Sequence, residues 1–257
     1  LASVVLGLKV GIKILSQINI VLCIIFLLFI FLAGPTSYIL DGLVQNLGSY
    51  VQKLLSLSTN TQGYSDSSWQ NAWTLYYYSW WFAWSPFVGL FIARISYGRS
   101  IQEFLIGAVL VPTFIVFIWM GVFGNAAIYQ EFIDPTSLST AINNDITISL
   151  FIFLEQFPVS QIIMWLGIVI ILTFFVTSSD SGALVTSMLT AAKKENFKDE
   201  PPMILRVIWA LSLGLISIVL LAGGGIGALQ TSVIVTGVPF AILVSFAARS
   251  LLKDLNK

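Results

Sequence analysis

"YYYSWWFAWSPF", residues 76–87, packs three Tyr, three Trp and two Phe into twelve positions of a long apolar stretch. In membrane proteins Trp and Tyr gather at the headgroup level rather than along a helix toward its middle. At 3.6 residues per turn, Trp73, Tyr77, Trp80 and Trp84 fall on one stripe, spaced 4, 3 and 4. Tyr78, Trp81 and Ser85 form a second stripe beside it. Pro86 lacks an N–H, so a helix through it bends or loosens and frees the Phe82 carbonyl four residues earlier. Freed backbone at membrane depth is tolerated where it lines a cavity or meets protein.

Two readings of this face stand side by side. One is a cage for a cation that cannot donate hydrogen bonds. A quaternary ammonium carries diffuse charge and methyl groups. Aromatic faces offer it dispersion and a negative quadrupole, worth about 2 kcal/mol or more per desolvated contact. A carboxylate in the cage would repel the acid group of a zwitterion such as a betaine. The other reading is dense helix packing with interfacial belting, which uses the same spacing.

The rest of the chain says what surrounds this helix. Its 257 residues are 57% hydrophobic and 9% charged, with mean hydropathy +0.93. Soluble domains carry about 25% charged residues, so this surface faces lipid. Six segments approach the roughly 20 apolar residues a spanning helix needs: Ile18–Tyr38, Trp69–Ile92, Phe104–Ala127, Ile162–Leu189, Ile204–Ala222 and Leu229–Ala247. The chain opens inside an apolar run, "LASVVLGL", with neither Met nor a charged leader region. It reads as the C-terminal part of a longer protein, residues 1–14 closing an earlier helix and an inner loop. The expected fold is an all-α membrane protein.

Charge sorts the loops. Lys9, Lys13, Arg94, Arg99, Lys193, Lys194, Lys198, Arg206, Arg249, Lys253 and Lys257 fall on one side of the six spans, and only Lys53 on the other. The positive-inside rule makes the basic side, and the C-terminus, cytoplasmic. Asp41, Asp66, Glu131, Asp134, Asp145 and Glu155 then lie outside. In the first outer loop, residues 40–57 carry Leu40, Leu43, Val44, Leu47, Val51, Leu54 and Leu55 at helical spacing, an amphipathic helix on the outer surface. The second, Tyr129 to Ser160, holds an apolar stretch at Ile146–Phe157 of poor periodicity that suits a lid. No internal repeat is evident.

Several classes are excluded. Zero net charge and no basic patch argue against nucleic acid. A single cysteine, Cys23, allows no internal disulfide, and the absence of His removes the commonest base and metal ligand.

One span is interrupted by polar groups. "LTFFVTSSDSG", residues 172–182, contains Thr173, Thr177, Ser178, Ser179, Asp180 and Ser181. Asp180 is the only acid placed within the membrane region. An ionisable group at the bilayer centre costs about 2.5–3.5 kcal/mol on insertion scales, which makes it a functional candidate. Thr177 and Ser178 lie about 100° apart around a helix. With nearby carbonyls they offer the hard oxygen ligands that suit a small cation. Hydroxyls bonding back to carbonyls four residues earlier are the plainer account. A Ser nucleophile lacks any His or intramembrane Lys to activate it.

These stretches carry a resemblance. "WTLYYYSWWFAWSPFVGLFIARISYGRS", Trp73–Ser100, resembles the signature helix of the betaine/choline/carnitine transporter family. "GIKILSQINIVLCIIFLLFIFLAGPT" and "FFVTSSDSG" are similar to two further family segments, in the right order. The resemblance covers essentially the whole chain, as the C-terminal half of a roughly twelve-helix protein. It implies a leucine-transporter-like inverted-repeat fold, present in part, with a central site at the repeat interface. Ile18–Tyr38 would close the first repeat and Trp69–Ile92 would open the second.

By the same resemblance, Trp81 is the main cage residue, with Trp80 and Trp84 as neighbours along the path. Thr177 and Ser178 match a hydroxyl pair that binds sodium, alongside the Phe174 carbonyl. Phe87 matches an aromatic near a second sodium, and Asp180 an acid near the inner gate. Tyr78 stands where many members have Trp, at the cage edge, and Tyr97 where Arg is common. The Trp-Ser-Pro-Phe pattern at Trp84–Phe87 favours sodium coupling. The Gly-rich broken helix of the first repeat is absent from these residues. The expectation is a secondary active transporter that imports a trimethylammonium compound by sodium symport, assembled as a homotrimer, with no cofactor beyond sodium as coupling ion. Rival expectations are a sodium-independent carnitine/choline exchanger of the same fold, and a channel or scaffold whose aromatics only pack.

Overall fold

The computed structural model describes residues 13–65, 69–135, 137–191 and 201–255. The expected earlier helix and inner loop lie outside them except for Lys13 and Ile14, as do Lys9, Asp66, Lys193, Lys194, Lys198 and Lys257. The described chain is all-α and contains no strand.

Helix α1, Lys13–Ala33, is an almost unbroken aliphatic run. It was expected to reach Tyr38, but Gly34-Pro35 stops it at Ala33 because Pro cannot donate the next helical bond. A Cβ on Gly34 would lie 2.5 Å from the Ile30 carbonyl oxygen. Thr36 Oγ1 donates to the Phe31 carbonyl at 2.7 Å and satisfies an acceptor of the last turn. Tyr38 belongs instead to α2, Thr36–Thr59, and its ring meets Tyr129 at 5.2 Å.

The aromatic segment begins as a π-helical stretch, Gln70–Leu75, and continues as α3, Tyr76–Ile95. A capping box then starts α4, Ile101–Leu105: Glu103 N–H donates to Ser100 Oγ and Ser100 N–H to the Glu103 carboxylate. A second π-helical stretch, Ile106–Leu110, leads into α5, Val111–Ile133. Pro112 cannot donate to the carbonyl of Ala108 inside that stretch, a usual setting for such a bulge.

The second outer loop is not loop-like. It forms α6, Ser137–Asn144, a 3₁₀ turn at Ile146–Ile148, and α7, Ser149–Glu155. The Glu131 carboxylate accepts from the Leu138 and Ser139 N–H groups and from the Ser139 hydroxyl, which caps the start of α6. Asp145 accepts from the Thr147 hydroxyl and N–H, and these bonds hold its carboxyl below its ordinary value.

Helix α8 follows, Ser160–Thr190. The two spans expected at Ile204–Ala222 and Leu229–Ala247 fall within one helical run, α9, Met203–Leu255. Its 53 residues would stretch about 80 Å if straight, against a hydrocarbon core of about 30 Å. The helical backbone breaks at Gly225, with φ 62° and ψ −151°, a conformation glycine accepts readily. Among the described residues, four helical stretches are long and apolar enough to cross a membrane: Lys13–Ala33, Ile101–Ile133, Ser160–Thr190 and Met203–Asp254. Helix α3 is not among them, because Tyr, Trp and Ser dilute its aliphatic content.

Packing divides the chain into two units. One gathers Lys13–Thr59 and Arg99–Thr177. Its core joins Phe26 and Ile30 of α1, Ile39 of α2, Val122 and Ala126 of α5, and Phe153 and Leu154 of α7. Phe157, just after α7, belongs to the same core, so the segment of poor periodicity is an internal wall. Helices α2 and α5 approach through glycine on both sides. A Cβ on Gly121 would collide with Leu43, and one on Gly42 with the Asn125 side chain. Asn46 Nδ2 adds a bond of 3.2 Å to Asn125 Oδ1. The apolar stripe read along residues 40–57 is divided by this packing. Leu43 faces α5, while Val44 and Leu55 are 77% and 78% exposed within the chain.

The other unit gathers Asn60–Gly98 and the described residues from Ser178 onward. There α3 lies against α9 at a point of very close approach. A Cβ on Gly237 would sit 2.7 Å from Ser79 Cβ and 2.8 Å from Ser79 Cα. Small residues at such crossings are the usual device of helix packing in lipid. In the full-length protein, Gly237→Val is expected to destabilise by about 1–3 kcal/mol through overpacking against backbone that cannot yield. Gly214→Ala, where an added Cβ meets nothing within 4 Å, is expected to be neutral or mildly stabilising. Thermal unfolding in detergent compares the two, and equal melting temperatures would refute the close approach.

Candidate functional site

The Gly237 contact fixes which way α3 faces. Ser79 is buried, so the opposite side of the helix turns away from α9. Both aromatic stripes flank that side, with Tyr77 and Trp81 nearest its middle. Trp81 is 64% exposed and Tyr78 60%, the two most open aromatic residues of the helix. The first stripe is knit ring to ring instead. Trp73 stacks on Tyr77 at 6.2 Å, Tyr77 meets Trp80 at 5.7 Å, and Trp84 stacks on Phe87 at 5.9 Å. Phe87 also touches Phe240 of α9 at 6.5 Å. Trp80 and Trp81 are tilted by 31° with centroids 6.2 Å apart. The two stripes therefore differ in character: one is packed, the other presents bare ring faces.

The carbonyl released by Pro86 has a partner. Ser85 Oγ donates to the Phe82 oxygen at 2.8 Å. The helix thus continues through the proline to Ile95 with that acceptor satisfied. No acid occurs between Tyr76 and Ile95.

The polar turn of α8 shows the back-bonded geometry. Thr177 Oγ1 donates toward the Phe174 carbonyl at 2.9 Å and the Thr173 carbonyl at 3.1 Å. Thr173 Oγ1 does the same toward Val169 at 2.8 Å. Thr177 and the Phe174 carbonyl are therefore already neighbours, and the Phe174 ring itself is exposed. Ser178 follows on the exposed side of the helix. Asp180, one turn beyond Thr177, is only 3% exposed. These hard oxygens suit a small cation better than a soft metal. No cluster of His, Cys, Asp or Glu able to hold a metal occurs among the described residues.

One residue near this turn was not singled out from the sequence. Asn19 of α1 is 3% exposed, and its Nδ2 donates to Thr177 Oγ1 at 3.4 Å. Its signal was an amide inside the aliphatic run "INIVLCIIF". Asn125 and Gln130 of α5 are buried amides of the same kind. Gln130 Nε2 donates to the Phe153 carbonyl at 3.2 Å and ties α5 to α7.

Residues 1–257 match the model of the BCCT, betaine/carnitine/choline family transporter, and the chain belongs to that family. It is 41% identical over 255 residues to the glycine betaine transporter of Acinetobacter baylyi, covering 99% of this chain and 38% of that protein. It is 38% identical over 251 residues to the ectoine/hydroxyectoine transporter of Virgibacillus pantothenticus, covering 98% and 49%. With the high-affinity choline transport protein of Escherichia coli K12 the identity is 36% over 255 residues, covering 99% and 38%. The chain thus spans less than half the length of each of these relatives. All three are named as transporters, not enzymes. Family and helices together define a multi-pass membrane protein.

The two faces of α3 make a labelling prediction. In full-length protein with Cys23 replaced by Ser, Trp81→Cys and Tyr78→Cys are expected to react with a polar maleimide. Ser79→Cys, against Gly237, is expected to react at least about tenfold more slowly, as a buried thiol does. Equal rates at all three positions would mean that α3 is turned otherwise.

Proposed function

We propose that this chain is the substrate- and ion-facing part of a secondary active transporter that imports a quaternary (trimethyl) ammonium compound such as glycine betaine by sodium symport. The observation that carries the reading is the bare Tyr78–Trp81 stripe on a helix whose opposite face is locked to α9. Trp81 is the principal cage residue, with Trp80, Trp84 and Tyr78 around it. The ring faces supply dispersion and quadrupole attraction to a cation without N–H groups. The acid-free length of α3 suits a zwitterion, whose carboxylate a fixed acid would repel.

Sodium is held by Thr177, Ser178 and the Phe174 carbonyl, with Phe87 near a second ion and Asp180 at the inner gate. The adjacency of Thr177 and the Phe174 oxygen supports this. Sodium biases the transporter only by its differential affinity for two conformations. Six spans, the amphipathic outer helix, the inverted-repeat architecture and a homotrimer belong to the same proposal. The cytoplasmic C-terminus is supported by Arg206, Arg249 and Lys253, which share one side of the proposed spans with Lys13, Arg94 and Arg99. Names of relatives support betaine and choline as substrate classes.

A second reading has an observation of its own. The Thr177 hydroxyl is engaged by helix carbonyls, the arrangement a sodium-independent exchanger needs no more than. Uptake of labelled betaine, choline and carnitine by the full-length protein, with and without a sodium gradient, separates the two. Trp81→Ala is expected to weaken substrate binding roughly thirtyfold, from about 2 kcal/mol of lost cation–π contact, with expression intact. Normal uptake by that variant would sink the cage assignment.

Replacing both Thr177 and Ser178 by Ala is expected to raise the sodium needed for half-maximal uptake about tenfold or more. If sodium dependence is unchanged in the double variant, the ion site lies elsewhere. Wild-type uptake that ignores the sodium gradient selects the exchanger.

A further inference from the structure

Asn19 is an amide buried in a run of Ile, Leu, Val and Phe, and only one of its two polar atoms is accounted for. Nδ2 donates to Thr177 Oγ1 at 3.4 Å. Oδ1 is buried and has no hydrogen-bond partner. Buried polar atoms are ordinarily paired, so an orphan calls for an explanation in function or strain. The explanation lies in what a cation does to Thr177, and it rests on the sodium reading given above.

A threonine hydroxyl has one proton to donate and two lone pairs. Here the proton points at the Phe174 and Thr173 carbonyls. A small cation that ligates both the Thr177 oxygen and the Phe174 carbonyl takes the place of that proton. The hydroxyl must then turn its proton to a new acceptor. In its present orientation Asn19 offers Thr177 a donor, which cannot serve. Terminal amide torsions are broad and roughly two-fold, so half a turn exchanges Nδ2 for Oδ1 at the same place.

We propose that Asn19 is a positioning residue for the coupling ion: its amide donates to Thr177 in the ion-free state and turns to accept the Thr177 proton when the cation binds. The unpartnered Oδ1 is the acceptor held in reserve. Because Asn19 is on α1 and Thr177 on α8, the exchange also ties ion occupancy to the contact between these two helices.

The test uses the full-length protein, purified and reconstituted, with two readouts. One is the sodium-induced rise in melting temperature relative to potassium, titrated to half-saturation without substrate. The other is the sodium dependence of uptake. Asn19→Leu keeps the shape and removes both polar atoms. It is expected to raise half-saturating sodium about five- to tenfold in both readouts, the loss of one buried hydrogen bond. Asn19→Asp keeps an acceptor and is expected to hold half-saturating sodium at or below the wild-type value. A merely structural tie between α1 and α8 lowers the melting temperature in potassium but leaves half-saturating sodium unmoved.

An unmoved value in Asn19→Leu overturns the proposal. So does a half-saturating sodium in Asn19→Asp raised about fivefold or more above the wild-type value, and this second measurement decides if the leucine variant does not fold. A wild-type protein without any sodium response removes the underlying symport reading and this inference with it. A response lost in Thr177→Ala but kept in Asn19→Leu removes this inference alone.

Discussion

Everything the aromatic helix can do depends on how closely its back approaches α9. With Gly237 there is no side chain between the two helices, and Ser79 presents only a hydroxymethyl group to the contact. Lipid offers no hydrophobic drive to hold helices together, because its tails are as apolar as the side chains. What remains is van der Waals contact at short range, and short range requires small residues. The same solution recurs in the other unit, where Gly42 and Gly121 let α2 and α5 meet. The large rings of α3 follow from this economy. Excluded from the helix crossing, they occupy the sides and the front, where the first stripe packs on itself and the second stays bare.

A second constraint shapes α8 and α9. Polar side chains inside an apolar phase need partners, and hydroxyls find them in their own helix. Thr173, Thr177, Thr186 and Thr190 each donate to the carbonyl four residues earlier, as do Ser217, Thr231, Thr236 and Ser245 of α9. Repeated along the chain, this habit makes the hydroxyls cheap to place in a membrane. It also means that a hydroxyl at Thr177 is not by itself a sign of an ion. Thr177 also has a second neighbour, the Asn19 amide arriving from α1, as Thr190 has the Trp209 Nε1–H arriving from α9.

Much of this was legible in the residues, and what was not has physical causes. The stripes on α3 follow from helical geometry alone, and so does the release of the Phe82 carbonyl by Pro86. That Ser85 takes it up is local chemistry one residue before the proline. The end of α1 was misplaced because hydropathy runs on through Gly34-Pro35 to Tyr38, whereas the missing N–H halts the helix. The segment Ile146–Phe157 looked weak because a 3₁₀ turn and a seven-residue helix are too short to show a period. Its burial comes from the core around Phe26 and Phe123, far away in sequence. The expected spans Ile204–Ala222 and Leu229–Ala247 were separated by hydropathy, yet the backbone between them is helical except at Gly225, which has positive φ. The pairings of Ser79 with Gly237 and of Asn19 with Thr177 are tertiary facts. No local pattern encodes them, although a small residue and a lone amide in apolar runs mark where to look.

The two candidate chemistries are of different kinds, and that difference bears on selectivity. Ring faces on α3 respond to a large cation with diffuse charge and exclude a compact one, which would lose its hydration for weak contacts. Hydroxyl, amide and carbonyl oxygens near Thr177 suit a compact hard cation and offer little to a methylated one. Neither set needs a formal negative charge, and α3 has none. For a zwitterionic substrate this neutrality matters, because a fixed carboxylate that attracted its ammonium would also repel its acid. In the proposed symport, a bound cation would supply positive charge only while present, without a fixed acid on α3.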